Sequence, residues 1–117
     1  MLSAWVEGYV RAWESNDPDE IAELFSEDAL YLTEPYAEPW RGRAAIVEGW
    51  LEARDEPGDA TFEWRPLLET AELSILLGTT VYRQPRRSYE NLWVIRFDAA
   101  GRCTEFTEWY MQRPGDG

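Results

Sequence analysis

ESNDPDEIAELFSEDALYLTEP, residues Glu14–Pro35, reads as the end of one helix, a turn, a second helix and a strand in direct succession. Asp17 is placed to cap the second helix, Pro18 takes its first position, and Glu20 follows three residues after the cap. Ile21, Leu24 and Phe25 then recur at helical spacing and form its buried face. The segment SEDALYLTEP leaves the helix. A residue before proline is biased to extended backbone, which sets Glu34 on a short strand or at its exit.

Upstream, Leu2, Trp5, Val6, Tyr9, Val10 and Trp13 are spaced by threes and fours, the mark of one apolar helix face. Downstream, RGRAAIVEGWLEARDEPG predicts a third helix with Ala45, Ile46, Gly49, Trp50 and Ala53 inward, stopped by Glu56-Pro57-Gly58. After Gly58 the pattern turns to strands: TFEWRPLLE, LSILLGTTVYRQ, SYENLWVIRFD and RCTEFTEWYMQR, joined by short turns. Short connections imply an antiparallel meander. Helices first and strands after imply an α+β domain with the helices on one face of the sheet. The expected organisation is a single domain over residues 1–113 and a flexible tail, 114–117.

In NLWVIRF both alternations are apolar: Trp93, Ile95 and Phe97 share one face, Leu92 and Val94 the other. Helices cover only one face of such a sheet, so the second would meet water. A homodimer packed through the outer sheet face is the expected remedy.

Composition narrows the chemistry. Eleven arginines against 23 acidic residues leave a net charge of −12, which disfavours nucleic acid and anionic membrane surfaces. No apolar run is long enough to span a membrane, and no basic segment followed by an apolar core opens the chain, so a cytoplasmic location is expected. The one cysteine, Cys103, reads as a packing residue on a strand. Histidine and lysine are both absent. That removes imidazole bases, Ser-His-Asp and Cys-His nucleophiles, the commonest zinc ligand and Schiff-base chemistry. Proton transfer falls to Asp, Glu, Tyr or Arg, and no metal or organic cofactor is expected.

The order of these signals resembles the SnoaL-like, or nuclear-transport-factor-like, superfamily. ESNDPDEIAELFSEDALY is similar to its helix–turn–helix–strand opening, GRAAIVEGW to its third helix, and RFDAAGRCTEFTEWYM to its last hairpin. The resemblance implies a cone-shaped, cystatin-like α+β barrel: three N-terminal helices packed on a curved antiparallel sheet. Within the superfamily, YVRAWESNDPDEIAELF resembles the opening of the ketosteroid isomerases and sets Tyr9 at their catalytic tyrosine. Glu34-Pro35 stands where they carry an Asp-Pro general base, and Trp93 occupies the position of their acidic oxyanion donor.

Three catalytic candidates follow. Glu34 is the expected base, desolvated among Tyr31, Tyr36 and Trp40. Tyr9 is the expected donor to an oxyanion. Glu108 joins them if the last strand keeps the pocket-facing alternation that the resemblance implies, with Phe106, Glu108 and Tyr110 inward, the alternative being an outward Glu108 paired with Arg96 or Arg65. Trp13, Tyr31, Trp40, Trp50, Asn91, Trp93 and Tyr110 are the expected binding surface, either lining a cavity or filling it. Two functions stay open. One is an isomerase- or cyclase-like enzyme acting on a small apolar carbonyl compound, with a carboxylate-assisted epoxide hydrolase or dehydratase as a variant. The other is a binding protein for a small apolar ligand, without turnover.

Overall fold

Helix α1, Leu2–Ser15, turns Leu2, Trp5, Val6, Tyr9 and Ala12 into the core, as its spacing requires. The computed structural model describes residues 2–114, so the expected tail beyond Pro114 lies outside the described residues. Asp17 caps α2, Pro18–Glu23, by accepting the Asp19 N–H at 2.8 Å. Glu20 does not close the capping box. It accepts the Ser15 hydroxyl instead and pairs with Arg11 at 3.4 Å, which ties α2 to α1.

Strand β1, Phe25–Leu32, follows with no loop, and a turn over residues 33–39 leads to the two-residue β2, Trp40–Arg41. Helix α3, Arg43–Glu52, buries Ile46 and Trp50; Ala45 and Ala53, both expected inward, are exposed, Ala53 lying at the C-cap just past the helix. Then come β3, Ala60–Glu69, β4, Leu73–Arg83, β5, Arg86–Phe97, and β6, Cys103–Gln112. The sheet order is β2-β1-β6-β5-β4-β3.

The last four strands form the expected antiparallel meander. The first strand departs from it: β1 lies parallel to β6, with Tyr31 beside Phe106 and Leu32 beside Thr107. The sheet is therefore mixed. A strand that arrives through α1 and α2 can take the free edge of β6 in either direction, and local signals do not specify which.

The fold is α+β, with a curved six-stranded sheet and N-terminal helices on its concave side. Burial alternates strictly on β4, where Ser74, Leu76, Gly78 and Thr80 face inward. Cys103 is buried and serves packing. Among the described residues, no helix is long and apolar enough to cross a membrane.

The core is an array of rings centred on Tyr9, whose ring lies 4.5 Å from Trp93, 4.8 Å from Trp50 and 5.6 Å from Phe106. Two glycines make room for it. A Cβ at Gly49 would come within 2.5 Å of the Trp40 ring, which stacks on Tyr31 at 4.8 Å. A Cβ at Gly78 would run into Phe62, which stacks on Trp93 at 4.6 Å. Overpacking of this kind costs about 1–3 kcal/mol. Gly49→Ala and Gly78→Ala are therefore each expected to lower stability by about that amount in urea unfolding, with Ala45→Ser as the neutral control. Stability equal to the parent's in both would mean that the rings have slack and do not define the cavity wall.

Candidate functional site

Helices α1 and α3 do not close onto the sheet at its open end. They leave a cavity of about 340 Å³, large enough for a small organic molecule. Nine aromatic residues line it without filling it. The lining includes Tyr9 and Trp13 from α1, Tyr31 from β1, Trp40 from β2 and Trp50 from α3. From the sheet come Asn91, Trp93, Glu108 and Tyr110. Every residue expected at the site from the sequence is therefore in this lining except Glu34.

Strand parity brings the floor together. Trp93 and Glu108 sit directly across the β5–β6 ladder, and Asn91 sits across from Tyr110. The one bulge in that ladder falls at Arg96/Phe97, beyond the site, so it does not flip the inward set. The Glu108 Oε2 accepts two hydrogen bonds, from Asn91 Nδ2 at 2.7 Å and from Trp93 Nε1 at 2.8 Å. Asn91 is oriented in turn by Thr80, whose hydroxyl donates to Asn91 Oδ1 at 2.8 Å. Arg96, the alternative partner, pairs with Glu105 instead. Among the described residues, Glu108 Oε1 has no hydrogen-bond partner.

Glu108 keeps some solvent-accessible surface because it faces the cavity, but protein surrounds it on the other sides. That burial pushes its pKa above the ordinary glutamate range. The Asn91 and Trp93 donors favour the carboxylate and offset part of the rise.

The cavity also holds a phenol pair. The hydroxyls of Tyr9 and Tyr31 lie 2.7 Å apart, and either can be the donor. One proton is used between them; the other remains for a guest. Burial pushes both phenols far above the usual tyrosine range, and the Glu108 charge adds to the rise in each. Both stay protonated at any physiological pH.

Glu34 is displaced from its expected place. It sits half-buried in the turn after β1, outside the cavity lining, and accepts the Tyr36 hydroxyl at 2.6 Å and the Tyr110 hydroxyl at 3.3 Å. Tyr36, expected to shield it, is 82% exposed. The turn that follows β1 carries the Glu-Pro pair outward, to the mouth of the cavity, where Tyr110 links it to the lining.

Sequence reading missed a second carboxylate. Asp55, in the loop after α3, lines the cavity and accepts Trp13 Nε1 at 2.9 Å and the Tyr82 hydroxyl at 3.1 Å, both on Oδ2. Thr80 and Tyr82 were also missed. The inward parity of β4 was the available signal for those two, since Thr80 is a buried polar residue on an apolar strand. Nothing local marked Asp55. No group of three or more metal-ligating side chains occurs among the described residues.

Comparisons with known proteins agree with this architecture. An NTF-2 like protein of unknown function from Burkholderia xenovorans LB400 matches at TM-score 0.72 and 18% identity, over 97% of this chain and 87% of that one. A ketosteroid isomerase-like protein from Erwinia carotovora atroseptica SCRI1043 matches at TM-score 0.67 and 14% identity, over 95% and 94%. The epoxide hydrolase/cyclase-like enzyme SalBIII, whose structure concerns pyran ring formation in polyether salinomycin, matches at TM-score 0.70 and 19% identity, over 93% and 89%. At these identities the likeness is one of fold. None of the curated proteins compared with the chain matches it. The family model of the SnoaL-like domain matches residues 6–106, most of the chain's length. The chain belongs to the SnoaL-like domain family.

Proposed function

We propose that the cavity binds a small carbonyl compound with an apolar body and moves a proton on it, with Glu108 as base and the Tyr9–Tyr31 pair as oxyanion donor. One observation carries the reading. A carboxylate with one oxygen held by two N–H donors shares a ring-lined cavity with two hydrogen-bonded phenols. Glu108 Oε1 would take the proton from the carbon alpha to the carbonyl. The phenol proton not used within the pair would meet the developing enolate oxygen. A carboxyl whose pKa is raised is a stronger base than an ordinary one, and the fixed donors need no rearrangement as charge develops. Returning the proton to another carbon gives a shifted double bond; attack by the enolate carbon on a second carbonyl of the same molecule opens that C=O bond and gives a ring, the new alkoxide taking the proton held by Glu108. Glu34, first expected as base, is left a part at the mouth, where it holds Tyr110.

A second reading rests on Asp55. Two cavity carboxylates could activate a water against an epoxide, a chemistry in keeping with the epoxide hydrolase/cyclase-like neighbour.

The direct test is exchange of the alpha protons of a small cyclic ketone with deuterated solvent, followed by NMR. Glu108→Gln is expected to slow catalysed exchange by about 10²–10⁴-fold. Tyr9→Phe or Tyr31→Phe alone should cost less than the double substitution, because each leaves one phenol in place. Exchange that survives Glu108→Gln intact rules out this base.

The pH profile has a definite sign. The base must be ionised, so the exchange rate rises with pH through the raised Glu108 pKa and then levels off. The groups that face Glu108 electrostatically are Tyr9 on α1, Tyr31 on β1, Tyr82 on β4 and Tyr110 on β6, all phenols held neutral by upward shifts. Stability runs the other way. A carboxyl with a raised folded-state pKa contributes stability below its unfolded value and loses it as pH rises through the folded value. Gln at position 108 keeps an oxygen for Asn91 and Trp93. Glu108→Gln should therefore melt higher than the parent at neutral pH, and the difference should vanish in acid. A parent that matches or exceeds it at neutral pH would contradict the raised pKa.

We also propose that a second copy of the chain covers the outer sheet face. The register aligns Leu77, Leu92 and Trp109 in one row and Leu68, Ile75 and Val94 in the next. Trp109 is 51% exposed in the lone chain. A continuous apolar patch on a chain of net charge −12 suits a self-complementary twofold contact, in which the patch meets its own copy. Light scattering at micromolar concentration should give twice the chain mass, and Trp109→Glu should give the single-chain mass. A parent that is monomeric throughout removes this proposal.

A further inference from the structure

The two cavity acids share an unusual feature. Glu108 Oε2 takes two donors and Asp55 Oδ2 takes two donors, and all four donors are neutral. Among the described residues the ion pairs are Arg11–Glu20, Arg96–Glu105 and Arg113–Glu90, and none reaches the cavity. Arg54 is the one basic residue in the lining. It is exposed, and its guanidinium donates to the Leu51 carbonyl at 3.0 Å. The remaining oxygens, Glu108 Oε1 and Asp55 Oδ1, have no partner among the described residues.

These acids stand in a cavity walled by aromatic rings. Ring faces attract cations, and the attraction strengthens where water is displaced. Trp13 and Tyr82 both line the cavity and spend their polar edges on Asp55, which leaves only ring surface for any further contact they make with a guest. Arg87 already lies 4.1 Å over the Tyr82 ring, so one face of that ring holds a guanidinium and the other is turned elsewhere. The acids also sit at different levels. Asp55 is bonded to Tyr82, whereas Glu108 is reached through Asn91 from Thr80. Two residues along β4 span about 7 Å.

We infer that the ligand carries an amine or quaternary ammonium group, held at Asp55 against the Trp13 and Tyr82 rings, with its reacting end at Glu108. The inference rests on the cavity being the binding site, as in the function proposed above, and it narrows the substrate class to cationic compounds. A ligand of this kind supplies the ion-pair partner that neither cavity acid has among the described residues, and an acidic chain raises its local concentration. The aromatic walls favour an alkylated nitrogen over a bare metal ion, which would need more oxygen ligands than the two acids provide.

The test compares choline with its neutral isostere, in which a quaternary carbon replaces the nitrogen. Binding to the full chain is measured by tryptophan fluorescence and calorimetry at mildly alkaline pH. Choline is expected to bind at least about tenfold more tightly. Asp55→Asn keeps an acceptor for Trp13 and Tyr82, and it should cut the ratio of choline to isostere affinity by about threefold or more. Equal or tighter binding of the isostere, or no measurable binding of choline, overturns the inference. So does a preference that Asp55→Asn leaves intact in a chain whose unfolding curve matches the parent's. The proton-transfer reading fails separately, on ketone exchange that ignores Glu108→Gln.

Discussion

Everything at the site depends on a carboxylate kept in an aromatic hollow by two N–H groups that share one of its oxygens. A charge in such a place is costly unless its lone pairs are met, and Asn91 and Trp93 meet them on one side only. The arrangement partly satisfies Glu108: well enough to fix its orientation, too little to restore the solvation it has lost. The opposing effects on its pKa express the same balance. A third donor, or an arginine within reach, would make the acid inert. In the function proposed above the open oxygen is the part that acts, and the surrounding packing preserves it.

That packing explains the two crowded glycines. Trp93 can aim its indole N–H at Glu108 only if its ring is held in plane by Phe62, and Phe62 has room only because Gly78 lacks a side chain. On the other side, Trp40 lies over Gly49 and braces Tyr31, the partner of Tyr9. Two gaps in side-chain volume, on β4 and α3, thus set the positions of the acid and the phenols. The cavity stays open because large rings lean on neighbouring backbone instead of filling the centre. Native proteins often accept a stability cost of this type at sites that do work.

How much of this was legible in the sequence follows from the range of each signal. Helix periodicity and turn chemistry act over a few residues, so the elements and the α+β class could be read directly. Strand parity is also local, but it needed an anchor: the family resemblance set Trp93 and the alternation of Glu108 and Tyr110 inward, and parity then added Asn91. The apolar face of α1 turned Tyr9 inward, and its place at the site came from the same resemblance. What failed needed longer range. Glu34 was assigned by the match of Glu34-Pro35 to the Asp-Pro base of the ketosteroid isomerases, but the course of the turn after β1 decides where its side chain goes, and that turn leads to the mouth. Asp55 enters the cavity because Trp13 and Tyr82, from distant parts of the chain, converge on it. The parallel β1–β6 pair depends on how the first strand meets the last, which no window of sequence records.

The phenol pair turns this geometry into a directional site. Two hydroxyls bonded to each other hold one proton between them and present the other outward, so the pair donates whichever way the inner proton lies. Ionising either phenol is opposed by burial and by the nearby Glu108 charge, so in the proposed reaction the pair does not compete with Glu108 as base. The acid cannot serve as the donor once it is ionised. Each group is thereby confined to one role by the other's electrostatics. The same coupling gives a bound cation a second effect: positive charge near the acids favours the ionised carboxylate and counters its desolvation. On the two proposals above, a guest with an ammonium group would therefore prepare Glu108, the proposed base, to act on it, without any histidine to set the working pH.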